Sequence, residues 1–104
     1  MANRQRGEID ATLGGRRYTL CLTLGALARL EAAYGDGDLL ALVQRFERGR
    51  IGATDAIRIL AAGLHGGGVE MGEDEVARLQ AEGGAAGMIA IVADLLRATF
   101  GGEP

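Results

Sequence analysis

The sequence predicts an α+β fold, an N-terminal two-stranded antiparallel β-hairpin packed on a cluster of about five short α-helices. Three observations predict it. Two segments of alternating apolar and polar residues flank Gly14-Gly15. Apolar residues at helical spacing begin directly after the second segment and recur in stretches separated by glycine stops. At 104 residues, with 48% apolar residues, the chain has material for one modest core.

Residues 1–6 read as a flexible polar tail, 7–101 as a single small domain, and 102–104 as a flexible C-terminus. In Glu8 to Leu13, the side chains of Ile9, Ala11 and Leu13 share one face. Gly14-Gly15 suits the positive φ angles of a primed hairpin turn. In Arg16 to Thr23, Tyr18, Leu20 and Leu22 share a face, and Thr19, Cys21 and Thr23 take the other. The hairpin thus has one apolar side that helices must cover.

Thr23 reads as the N-cap of a first helix, Leu24 to Tyr34, with Leu24, Leu27, Leu30, Glu31 and Tyr34 at helical spacing and Gly35 as its stop. Asp36 or Asp38 caps a second helix, Leu39 to Arg48, with Leu39, Leu42, Val43 and Phe46 inward and Gly49 at its end. A third helix runs from Thr54 to Leu64 on the stripe Ile57, Leu60, Ala61, Leu64. Gly66-Gly67-Gly68 ends it and reads as a hinge. A fourth starts at the acidic run Glu73-Asp74-Glu75 and continues to Glu82, with Val76 and Leu79 inward. The fifth, Ala85 to Phe100, carries apolar residues over about half its circumference.

The composition excludes much chemistry. The chain contains no Ser, Lys or Trp, and its 11 basic residues are all Arg. There is accordingly no serine nucleophile, Schiff-base lysine or phosphate-loop lysine. One His and one Cys do not make a protein-only zinc site, and neither a metal nor another cofactor is expected. The acidic cluster Glu70, Glu73, Asp74, Glu75 lacks the alternating spacing of a calcium loop and reads as a solvated helix start. A Cys21–His65 dyad has no support in spacing, and the chain reads as a non-enzyme. The net charge of −3 argues against a general nucleic-acid binder. Arg16 and Arg17 at the hairpin tip are the candidates for contact with an acidic partner. The apolar run from Met88 to Phe100 is too short to cross a membrane. The single Cys fits a reducing cytoplasm. The last helix holds more apolar surface than one core face needs. Its two candidate partner-binding edges are Met88, Ile91, Leu95 and Ile89, Leu96, Phe100.

The block GEIDATLGGRRYTLCLTLGALARLEAAYG, the segment RILAAGLHGGG and the ending DLLRATFG resemble the small tail-morphogenesis proteins of gene transfer agents and related long-tailed phages. That family is labelled tail tube protein or tail assembly chaperone. The resemblance covers about Arg6 to Gly101 and carries no catalytic signature. It implies a bacterial setting, with the tape-measure protein and tail tube subunits as partners. A chaperone would act in the bacterial cytoplasm; a structural subunit would sit in the particle tail. Tube walls are generally built from sheets, so one hairpin with helices fits the chaperone role better. A structural tail tube or tail-terminator subunit is the alternative. A small regulator touching DNA through the arginine hairpin is a second alternative, and homo-oligomerisation stays open.

Overall fold

The computed structural model describes residues 2–34 and 39–101. Strands β1 (Glu8–Leu13) and β2 (Arg16–Cys21) pair antiparallel, with Ile9 opposite Leu20 and Ala11 opposite Tyr18. Gly14 and Gly15 have φ of +60° and +77°, as a two-residue primed turn requires. Ile9, Ala11, Leu13 and Leu20 are buried on one face. β2 stops at Cys21 rather than Thr23, because Thr23 serves the next element: its Oγ accepts the Ala26 N–H at 3.1 Å, the N-cap of α1 (Leu24–Ala33). On α1 the buried residues are Ala26 and Leu30. Leu24, counted at that helical spacing, is 84% exposed.

Helix α2 (Leu39–Glu47) contributes one buried side chain, Leu42. The expected stop at Gly35 and caps at Asp36 and Asp38 lie outside the described residues, as do residues 102–104. At the end of α2 the Gly49 N–H reaches the Phe46 carbonyl and the Arg50 N–H the Arg45 carbonyl, a Schellman closure.

Helix α3 (Ala53–Gly66) is the centre of the fold, packed against β2, α1, α5 and the short helix α4 (Glu73–Ala77). Ala56, Ile59, Leu60, Ala62, Gly63 and Leu64 are buried, a wider arc than the expected stripe, because neighbours cover it from several sides. It also runs on through Gly66. A Cβ at Gly66 would stand 1.8 Å from the Cys21 carbonyl oxygen, and one at Gly67 1.8 Å from that of Thr19. These glycines let the helix lie directly on β2. Only Gly68 adopts positive φ, +95°, at the reversal where the Val69 N–H bonds the Leu64 carbonyl. The expected hinge is instead a packed contact.

Helix α4 ends at Ala77, five residues short of the expected Glu82. The chain beyond it pairs with the hairpin: Ala81 bridges Leu13, and the Gly14 N–H donates to the Gln80 carbonyl at 2.7 Å. Backbone groups at the outer edge of β1 thereby gain partners, which a longer helix would leave unpaired. Helix α5 (Gly84–Phe100) packs along β1 and α3. The first residues, expected as a tail, form a 3₁₀ turn over Arg4–Arg6, and Arg4 grips Asp94 of α5 through bonds of 2.9 and 3.1 Å.

Candidate functional site

Helix α5 divides the residues singled out from sequence. Leu95 and Leu96 are 0% and 1% exposed and belong to the core with Val92. This corrects the expectation that they face a partner. Gly63 is the reason for Leu95: its missing Cβ would meet Leu95 Cδ2 at 2.7 Å, so the leucine seats against the α3 backbone. Met88 and Ile91 are half-buried against the core. Ile89 and Phe100 are 40% and 39% exposed. At 100° per residue they share one side of α5, about 16 Å apart.

Ile89 is the common wall of two apolar clefts. The larger, of about 300 Å³, lies between α3, α4 and the first half of α5, with Ile57, Leu60, Val76, Leu79 and Met88 among its lining residues. The smaller, of about 200 Å³, is closed by Phe46, Gly49 and Ile51 from the end of α2 and by Val92 and Ala93. Ala85 lines the larger cleft, and α5 also exposes Ala86 and Ala90. Two apolar clefts that meet at one exposed apolar residue suit a helix presenting apolar residues at i, i+3, i+4 and i+7. The sequence marked Ile89 and Met88. It missed the opposing wall, because Ile57 and Leu79 read as core positions and only the early end of α4 leaves them half open.

The polar candidates are held in structural roles. Cys21 is buried, its Sγ 3.7 Å from the Arg6 carbonyl, and burial, with Glu8 nearby, pushes its thiol up and away from a nucleophile's range. His65 Nδ1 lies 2.6 Å from Arg29 and 2.7 Å from Glu70, so the sulfur and the imidazole serve different partners. The same contacts, first that from His65 and then that from Arg29, hold the Glu70 carboxyl below its usual range. Arg17 pairs with Asp10 at 3.3 Å, whereas Arg16 is exposed. Among the described residues no three His, Cys, Asp or Glu side chains converge as metal ligands, and no helix is long and apolar enough to cross a membrane.

A buried cluster had no local sequence signature. Asp55, at the start of α3, is 4% exposed. Its carboxylate accepts the Tyr34 hydroxyl and the Gly52 N–H and pairs with Arg45. Arg58 lies over the Tyr34 ring, 4.9 Å from its centroid. Burial alone would raise the Asp55 pKa, but the hydrogen bonds from Tyr34 and Gly52 and the Arg45 charge outweigh it and hold the carboxyl below its ordinary value. Burial and the Asp55 carboxylate push the Tyr34 phenol up to about 12. The cluster ties the end of α1, the last turn of α2 and the start of α3 together.

A family model described as phage tail tube protein, GTA-gp10, matches residues 6–102. No curated protein and no solved structure matches the chain.

Proposed function

The chain belongs to that family of phage tail tube proteins of the GTA-gp10 type, and from this premise we propose that it acts in tail assembly as a chaperone, holding a helix of the tape-measure protein across the two clefts beside Ile89. The observation that carries this reading is the pair of apolar clefts that meet at the half-exposed Ile89, open among the described residues. Met88 and Ile91 would form the edges of the contact, and Phe100 an outlying point on the same side of α5. No catalytic role is assigned to any residue.

The family's description names the tube itself, so a structural subunit is the second reading. Against it stands the two-stranded sheet, which offers little edge for building a wall. The tip edge of β1 is taken by Gln80–Ala81, and the outer edge of β2 is covered by the glycines of α3. A tube subunit should form rings visible by electron microscopy and be retained in purified particles, whereas a chaperone should be lost from them. Mass spectrometry of finished particles separates the two.

The contact surface itself is tested by co-expression with the neighbouring tape-measure protein. Ile89→Glu should fold with a wild-type circular dichroism spectrum and fail to keep the partner soluble. Phe100→Glu should lose less. Leu95→Glu should not fold at all, because it buries a charge in the core. An Ile89→Glu protein that solubilises its partner as well as wild type would place the contact elsewhere.

A further inference from the structure

We propose that the cavity between α1, α3 and the chain leading into α4 binds a single carboxylate on a short aliphatic stem, with Arg58 as the group that receives it. The cavity holds about 230 Å³ and shares no lining residue with the clefts beside Ile89. Helix α1 contributes Arg29 and Leu30, α3 contributes Arg58 and Ala61, and the connection to α4 contributes Glu70 and Met71. Arg58 is the one half-buried arginine without an ion pair among the described residues. Arg6, Arg16, Arg48, Arg50, Arg78 and Arg97 also lack one, but they are exposed and water serves them. The Arg58 Nε is sealed from solvent and has no hydrogen-bond partner.

Nothing within the chain answers this guanidinium. The Tyr34 ring, 4.9 Å away, engages its charge but accepts none of its N–H groups. The Asp55 carboxylate already serves Tyr34, Gly52 and Arg45. A partly desolvated cation with unpaired N–H groups attracts an acceptor more strongly than an exposed arginine does. Arg29, the other cation of the cavity, is held by Glu70 and His65, so Arg58 is the cation left for a ligand. The remaining lining residues select the class of anion. Arg29 neutralises Glu70, whereas Glu73 lines the same cavity and has no ion pair. A doubly charged phosphate meets twice the repulsion from Glu73 that a carboxylate meets. Leu30, Ala61 and Met71 offer apolar wall to an aliphatic stem, which phosphate lacks.

The test follows the Arg58 Nε–H resonance of the isotope-labelled full chain during titration with butyrate, butyramide and inorganic phosphate. Butyrate should shift it with a Kd of about 1–10 mM, the scale of so small a ligand. The uncharged butyramide and phosphate should each bind about tenfold more weakly. In Arg58→Gln, butyrate should no longer shift the Met71 methyl resonance. Should that variant unfold, Glu73→Gln decides, because it leaves Arg58 in place. It should tighten butyrate binding about two- to threefold at low salt, and an affinity that does not rise places butyrate outside this cavity and overturns the proposal. A short peptide with one central Glu, set against its Gln twin, identifies the source of the carboxylate. If it shifts Arg58 as butyrate does, the group comes from a partner polypeptide; if only butyrate does, it comes from a free acid, and both results support the site. No shift with butyrate, an equal shift with butyramide, or tighter binding of phosphate overturns it, and none of these results bears on the clefts beside Ile89.

Discussion

Gly66→Ala should lower stability by about 3 kcal/mol, near the upper end of what overpacking costs, and lower Tm by on the order of 10–20 °C for a domain of this size. In an exposed helix the same change would gain up to about 1 kcal/mol from propensity, so the sign depends on the neighbour. That neighbour is a backbone carbonyl, Cys21 O, at 1.8 Å from the new methyl carbon. A carbonyl in a paired strand has no rotamer to escape into. Either α3 lifts from β2 or the strand distorts, and either move loosens the leucines between them. Gly25→Ala is the control, because its nearest neighbour, Thr23 Oγ, is 3.9 Å away and its stability should hold or rise slightly. Urea denaturation of both variants, with the wild type, checks the pair. A Gly66→Ala protein as stable as Gly25→Ala would mean that α3 does not lie on the strand.

The contrast between these glycines explains how far the fold was legible. Features set by neighbours in sequence could be read directly: the hairpin, because alternation and Gly14-Gly15 lie side by side, and the Thr23 cap, because its partner Ala26 is three residues on. Features set by distant partners could not. Gly66 and Gly67 looked like a loose end because the carbonyls they accommodate belong to β2, more than forty residues earlier. The exit of α4 looked helical because the partner that ends it is Leu13. For the candidate site, period alone identified α5 as too apolar for one face. It could not decide which side the core takes, and Leu95 and Leu96 went inward because Gly63 and the hairpin receive that side. The Asp55 cluster escaped altogether, since no local pattern links Tyr34, Arg45 and Arg58 until three helices bring Tyr34 and Arg45 to one carboxylate and Arg58 over the Tyr34 ring.

That carboxylate is the second place where one atom group decides much. Asp55→Ala should cost about 2–3 kcal/mol, the range for removing a buried charged hydrogen-bond centre whose cation can still reach water. Arg45 retains that access, with its side chain 43% exposed, which keeps the loss below that of a fully buried pair. Asp55→Asn should not rescue in full. Its amide nitrogen can donate to the Tyr34 hydroxyl, which accepts as well as donates, while its oxygen keeps the Gly52 N–H, so what fails to be restored is the charge that pairs with Arg45. Tyr34→Phe should cost less, about 1 kcal/mol, because the carboxylate keeps its other partners. The double variant should cost less than the sum of the singles. The pH dependence carries its own sign. Asp55 has a folded-state pKa below its ordinary value near 3.8, so in that region the unfolded chain binds more protons and stability rises with pH. Its contribution is complete above the unfolded value and is lost as pH falls through the folded one. Urea titrations at pH 7, 5, 4 and 3 should therefore find the gap between wild type and Asp55→Ala constant down to about pH 5 and narrowing below 4. A gap that widens on acidification would mean that Asp55 is held protonated, and that Tyr34 and Arg45 are not its partners in solution.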